Sequence, residues 1–236
     1  MGVDSPLPAL ALALLLVLPG LLKTASRGWV IAFMAGLVLF LGLRALPTLL
    51  PGERAIGDHW NWSGQLLALA GALWIAWLLA RRVGLSWHEM GFTGTQRPGS
   101  VGPAMWVTAA ALSLNVLTMN LSNFRLRHVP LETWVYEATL PGLVEEAVFR
   151  GVLLGLLDRA FIARKNLFGA QVGWGGVVVT LVFLALHGVT AGTLLGVLPA
   201  ALLYLWLRVR TGSLIAPILV HNLWNLSVYV AHLQFV

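Results

Sequence analysis

The stretch ATLPGLVEEAVFRGVLLGLL, Ala138–Leu157, sets Glu145, Glu146 and Arg150 near the middle of twenty residues that are otherwise almost all apolar or small. As a helix it would be about 30 Å long, the thickness of a bilayer's hydrocarbon core. A charge at the centre of a membrane helix costs about 2.5–3.5 kcal/mol, so three ions facing lipid would cost roughly 8–10 kcal/mol. These side chains must therefore face protein or trapped water and partly neutralise one another. Glu146 and Arg150 stand one turn apart, with the acid on the favourable N-terminal side. Glu145 points about 100° further round the helix and has no partner along its own turn. A desolvated carboxyl in that position suits a proton shuttle or general base.

The rest of the chain agrees with a membrane setting. Of its 236 residues 58% are hydrophobic and 10% charged, against about 25% charged in a soluble domain, and its mean hydropathy is +0.84. These figures exclude an ordinary soluble globule and leave no room for a large soluble domain. The absence of cysteine excludes a disulfide framework, a thiolate nucleophile and cysteine-ligated metal. Eight apolar stretches are candidate spans: Pro6–Leu22, Gly28–Leu46, Ser63–Ala80, Val101–Leu121, Ala138–Leu157, Gly175–Val189, Gly192–Leu207 and Ser213–Leu233. The sixth and seventh are short and nearly continuous, so a tight hairpin or one broken helix is an alternative for that pair. Each span must be helical, because backbone groups in lipid need internal partners and nothing here alternates as barrel strands do. Pro19 and Pro199 fall inside spans, where they bend a helix without ending it. The expectation is an all-α, polytopic integral membrane protein with about eight transmembrane helices. It forms one integrated membrane domain, with four N-terminal helices in 1–134 and the chemistry-bearing core in 135–236. Met1–Ser5 carries Asp4 and no basic residue, so the first span reads as a membrane helix rather than a cleaved signal peptide.

With eight helices, alternate connections share a side. One side collects ten basic residues: Lys23, Arg27, Arg81, Arg82, Arg97, Arg159, Arg164, Lys165, Arg208 and Arg210. The other has Arg54, Arg125 and Arg127, with Arg44 a fourth near the end of its helix. The positive-inside rule places the first set in the cytoplasm and both termini outside, as in a bacterial inner or plasma membrane. Basic residues distributed in this way describe topology and not nucleic-acid binding. Trp29, Trp60, Trp62, Trp134 and Trp174 lie beside span ends, as interfacial anchors do.

Two further constellations carry chemistry. Phe183-Leu-Ala-Leu-His187 puts a histidine near the non-cytoplasmic end of the sixth span, and His221-Asn-Leu-Trp-Asn225 puts a histidine and an amide on one face of the eighth. With Glu145 these give an acid, two imidazoles and an amide from three helices. That inventory can activate a water and stabilise an oxyanion, the two needs of amide hydrolysis. Alternatively Glu145, His187 and His221 could hold Zn²⁺ with an open position. Other hydrolase chemistries fail: there is no G-x-S-x-G elbow. His88-Glu89-Met-Gly-Phe92 begins like H-E-x-x-H but ends in Phe, within a connection. Asp158 lies beside Arg159 at a helix end, so no buried aspartate pair is available. His59, His128 and His232 fall near interfaces, and Asn115 and Asn120 read as cross-helix hydrogen-bonding groups.

Glu145-Glu146-Ala-Val-Phe-Arg150 resembles the E-E-x-x-x-R motif of the CPBP intramembrane proteases, the CAAX prenyl endopeptidase and abortive-infection-related family. Phe183-x-x-x-His187 resembles its F-x-x-x-H motif and His221-x-x-x-Asn225 its H-x-x-x-N motif, in the family's order. Arg210-Thr-Gly-Ser-Leu and Ala216-Pro217 look like its last segment. The similarity runs over roughly Val135–Val230, and the first four helices match only as generic membrane helices. The resemblance implies peptide-bond hydrolysis in the membrane, with Glu145 the base for a catalytic water and His187 orienting that water. His221 and Asn225 would steady the oxyanion, and Glu146 and Arg150 would hold the site together. The family is commonly labelled metalloprotease, yet a glutamate-and-histidine mechanism without catalytic metal has been argued for it. We read the residues as requiring no obligatory metal, zinc being the alternative.

With its helix starting at Ala138, Glu145 would lie about 10 Å inside the non-cytoplasmic face. A pocket opening outward favours exported peptides or C-terminal membrane tails as substrates. The expected partners are a peptide or protein substrate and membrane lipids, with no nucleic acid. The competing reading is a non-enzymatic membrane transporter or an immunity-type binding protein on the same scaffold, since intramembrane Glu, Arg and His also mark ion paths. Transport is disfavoured by the lack of repeats and paired broken helices.

Overall fold

Long apolar runs separated by short polar connections fold as helices. The computed structural model, which describes residues 6–49, 60–120 and 128–232, is all-α apart from one small hairpin. Helix α1 (Leu7–Leu21) is followed by α2 (Thr24–Ala45), which ends in a 3₁₀ turn (Leu46–Leu49), then by α3 (Trp62–Arg82) and α4 (Val101–Asn120). Helix α5 (Leu131–Glu146) runs on through a π segment (Ala147–Leu153) into α6 (Leu154–Ala160). Strands β1 (Arg164–Leu167) and β2 (Ala170–Gly173) pair antiparallel, and α7 (Trp174–Leu186), α8 (Ala191–Thr211) and α9 (Ile215–His232) complete the bundle. Pro19 and Pro199 sit inside unbroken helices, as expected.

Among the described residues four helical segments are long and apolar enough to cross a membrane: Thr24–Leu49, Trp62–Arg82, Val101–Met119 and Ala191–Thr211. Leu7–Leu21, Trp174–Leu186 and Ile215–Ala231 are apolar but shorter. The sixth and seventh candidate spans are separate helices joined by a turn at Gly188, and α7, at thirteen residues, is about 20 Å long. Two expected boundaries are corrected. The fifth rod starts at Leu131, not Ala138, because Pro130 sets its N-terminus and its first turns carry Glu132 and Glu137, which hid them from an apolar window. Glu145 is thus fourteen residues from the start of its rod, about 21 Å along it rather than 10. The connection between the fifth and sixth candidate spans contains a hairpin, Arg164–Gly173, that the sequence reading does not foresee. Its two-residue turn places Phe168 (φ 51°) and Gly169 (φ 79°) both in the left-handed region, as a type I′ turn demands, but with Phe where Asn is usual.

The packing is inside-out relative to a soluble bundle. In α1 the buried residues are Ala9, Ala13, Val17 and Gly20, while Leu7, Leu14, Leu15 and Leu18 face outward. Helix α3 buries Gly64, Ala68, Ala72 and Ala76 and exposes Leu66, Leu67, Leu73, Trp74 and Trp77. Small residues at the contacts and large apolar ones outside are what lipid solvation selects. Asn61 joins α2 to α3, its amide donating to the Arg44 carbonyl at 2.8 Å and its oxygen capping Gly64 N at 2.9 Å. Asn115 donates to Ser227 Oγ at 2.8 Å between α4 and α9, the cross-helix role expected of it. The side chain of Asn120 lies outside the described residues. Trp60 and Trp62 do more than mark an interface: their indole N–H groups donate to Thr133 Oγ1 and Glu132 Oε1, each at 3.0 Å, and their rings pack on Tyr136.

Contacts among the connections gather the basic residues at one end. Arg159 meets Glu89 at 2.6 Å and lies over Trp29, Arg97 reaches the Val209 carbonyl, and Arg210 the Gly169 carbonyl. Burial pushes the Glu89 carboxyl up, but hydrogen bonds from Ser86 and the Arg159 guanidinium outweigh it and hold it below its ordinary value. The His88-Glu89 pair therefore belongs to a turn that Glu89 braces. Arg54, Arg125, Arg127 and His59 lie outside the described residues.

Helix α9 packs against α5, α4 and α8. It approaches α5 closely at Gly142, whose amide donates to Asn222 Oδ1 at 2.8 Å while Asn222 Nδ2 donates to the Thr139 carbonyl at 3.2 Å. A Cβ on Gly142 would collide with Asn222 Oδ1 and with the Ile218 carbonyl. Gly142→Ala should destabilise the protein by about 1–3 kcal/mol, as overpacking does. Thermal unfolding in detergent checks this; a melting temperature equal to wild type would contradict the close approach.

Candidate active site

The lower half of the fifth rod changes pitch where the charges begin. Seven residues, Ala147–Leu153, take π geometry, a rare form found mostly at functional sites. Within it Arg150 is fully buried. Its Nη1 lies 3.1 Å from Glu146 Oε1, the pairing expected from their spacing. Its Nη2 donates to the Ala201 carbonyl at 3.2 Å, and the guanidinium sits 4.4 Å over the Phe183 ring and 5.6 Å from that of Tyr204. Phe149 packs edge-to-face on both Phe40 and Phe183, which ties this turn to α2 and α7. A buried ion is thus neutralised by one carboxylate, one carbonyl and two aromatic faces.

His221 of α9 completes the cluster. Its Nδ1 is 2.9 Å from Glu146 Oε1, the oxygen that Arg150 also uses, and its ring stacks on Tyr204 at 4.6 Å and 14°. Since a carboxylate only accepts, Nδ1 carries the proton and Nε2 is left facing Glu145 Oε2 at 3.9 Å. Glu145, itself buried, is also held by Arg44 from the end of α2, with Nη1 3.3 Å from Oε1. His187 ends α7 and is exposed. Its Nδ1 donates to the Phe183 carbonyl at 2.8 Å, which frees Nε2 as an acceptor. The Phe183 ring lies between the two imidazoles, 4.5 Å from His187 and 6.1 Å from His221. Glu145, Glu146, Arg150 and His221 are therefore brought together, with His187 joined to them through the Phe183 ring.

Asn225 is placed otherwise. Its Nδ2 donates to Glu137 Oε2 at 2.8 Å, and the Tyr229 hydroxyl reaches Glu137 Oε1 at 3.3 Å. Glu137 is buried two turns before Glu145 and was not singled out in the sequence, although its i−8 spacing puts both acids on nearly one face. In the sequence Arg44 counts only toward the topology, as a charge near the end of its helix. Nothing local to either residue signals its partner, which lies on another helix.

The alternative zinc set is Glu145, His187 and His221. Among the described residues no group of three or more His, Asp or Glu side chains is gathered to hold a metal ion. The Arg44 guanidinium on one oxygen of Glu145 disfavours a second cation there, whereas His221, with Nδ1–H on Glu146 and Nε2 free, has the orientation that a metal-bound imidazole also takes.

Removing one partner of a fully buried ion pair costs about 3–5 kcal/mol. Arg150→Gln should lose that much stability, and Glu146→Gln with Arg150→Gln should lose about 0.5–3 kcal/mol less than the sum of the singles. Strictly additive losses in a double-mutant cycle, read by denaturation of the purified protein, would contradict direct coupling.

A family model described as Rce1-like, type II CAAX prenyl endopeptidase, matches residues 128–227. That region holds all three motifs and ends three residues short of the boundary drawn from them. No curated protein and no solved structure matches the chain. A protease family together with several apolar helices, four of them of membrane-crossing length, describes a multi-pass membrane protein. Residues 128–227 are thus similar to the Rce1-like, type II CAAX prenyl endopeptidase family, in agreement with the resemblance carried by the three motifs.

Proposed function

We propose that the protein is an intramembrane endopeptidase that hydrolyses a peptide bond with a water activated by Glu145. The observation that carries this reading is the pairing of a buried carboxylate with an imidazole 3.9 Å away, each oriented by a second charged group, Arg44 for Glu145 and Glu146 for His221. A base and an imidazole that faces it are thus each held in place by an orienting partner, and Glu146 orients His221 as an aspartate orients the histidine of a serine triad. Glu145 takes a proton from water, and His187, with Nε2 free, orients that water. A cationic His221, balanced at Nδ1 by Glu146, would present Nε2–H to the developing oxyanion. Asn225 reaches the same oxyanion by releasing Glu137, a rotation of its amide that substrate would drive. The proton held by Glu145 then passes to the leaving amine.

Eight crossings, with the ten basic residues cytoplasmic and both termini outside, fit the meeting of four of those cations, Arg97, Arg159, Arg164 and Arg208, around one cavity. On that topology the pocket opens away from the cytoplasm. Exported peptides or C-terminal membrane tails are then the substrates that reach it.

Glu145→Gln keeps the side chain's shape and removes the base. Cleavage should fall by about 10²–10⁴-fold, with melting and detergent-solubilised size unchanged. Comparing the membrane and secreted proteomes of cells carrying each form reads the effect without a known substrate, because fragments present with wild type should be missing with the variant. Identical fragment sets would refute the role of Glu145.

A further inference from the structure

A second polar feature lies far from these residues. Asp158 is thirteen residues beyond Glu145 on the continuous fifth rod, about 20 Å along it. Beside it is a cavity of about 330 Å³ between the α3–α4 connection, α6, the hairpin and the end of α8, within the size range of small-ligand pockets. Its wall carries Arg97, Arg159, Arg164 and Arg208 against Glu89 and Asp158, with His88 at the edge. Arg159 is matched by Glu89 at 2.6 Å and Arg164 by Asp158 at 3.0 Å. The other two guanidinium groups bond only to carbonyls: Arg97 Nη1 to Val209 at 2.7 Å, Arg208 Nε to Arg150 at 3.0 Å and Arg208 Nη2 to Glu89 at 2.7 Å. Among the described residues the cavity thus carries two more cations than anions.

The backbone is shaped around those two cations. Gly91 and Gly212 both have positive φ, +81° and +78°. A Cβ on Gly91 would strike the Arg208 guanidinium, and one on Gly212 would come within 3.1 Å of Arg97 Nε. Carbonyls fix the fork-shaped donors in place without neutralising them, which leaves their charge for a ligand.

We propose that this cavity is an anion site that takes a phosphate group, supplied by the headgroup of an anionic phospholipid or by a soluble phosphate. Arginine forks on a fixed wall suit phosphate oxygens. A basic pocket between helix ends, lined in part by a hairpin whose tip exposes Phe168, is where a lipid headgroup would sit. The site does not depend on the proteolytic reading.

The test uses the full chain in neutral detergent with three probes: dihexanoyl phosphatidylglycerol, the matching phosphatidylcholine, and radiolabelled inorganic phosphate. Native mass spectrometry reads the lipids and equilibrium dialysis the phosphate. Binding of phosphatidylglycerol over phosphatidylcholine, or of phosphate, should weaken with added salt. It should fall about tenfold in Arg97→Gln and tighten in Glu89→Gln, which frees Arg159. A purely structural role would move both variants in the same direction. Phosphatidylglycerol alone binding identifies a lipid headgroup, and phosphate binding and competing identifies a soluble source. Neither probe binding, binding insensitive to salt, or the two variants failing to move in opposite directions would overturn the proposal.

Discussion

One oxygen atom organises the interior: Glu146 Oε1 accepts from Arg150 at 3.1 Å and from His221 at 2.9 Å. A carboxylate and a guanidinium buried without water are expensive, and their attraction offsets that cost only with good geometry and further hydrogen bonds. The fold supplies these from several directions. Arg150 reaches α8 through the Ala201 carbonyl and Tyr204, and α7 through Phe183. His221 brings in α9. Four rods are thus held in register by one charge cluster, and the same cluster fixes which nitrogen of His221 faces Glu145.

The surrounding bundle can afford this polar centre because its helices associate through small residues, with large apolar side chains turned outward. Close approaches such as Gly142 against α9 bring backbone amides within reach of polar side chains. Pro141 removes a main-chain donor from α5, and the Gly142 amide next to it turns to Asn222. The π segment a turn later carries Arg150, whose carbonyl accepts from Arg208. Irregular backbone thus coincides with the buried charge cluster, and two of its polar groups, the Gly142 amide and the Arg150 carbonyl, find side-chain partners inside the protein.

Local spacing was legible in the sequence. The i, i+4 relation of Glu146 and Arg150 translated directly into an ion pair, and three charges in an apolar run marked the rod that carries the site. The helical class followed from run length, and the cross-helix bond of Asn115 from its place in a span. What was hidden depends on other helices. Arg44 is about a hundred residues from Glu145, and no periodicity links them. Glu137 lay outside the apolar window because its charge lowers local hydropathy, although Asn225 and Tyr229 satisfy it in the interior. For the same reason Asn225, one turn from His221, engages an acid that had not been counted. The hairpin escaped because Phe168 occupies a left-handed turn position that is read from Asn or Gly.

The contact of His221 Nδ1 with Glu146 sets the orientation of the imidazole ring. Nitrogen-15 spectra of the histidine-labelled protein would report it, with the His221 signals assigned by substitution. A protonated Nδ1 whose resonance moves in Glu146→Gln is the predicted result. An unprotonated Nδ1, or a His221 signal that Glu146→Gln leaves in place, would contradict it.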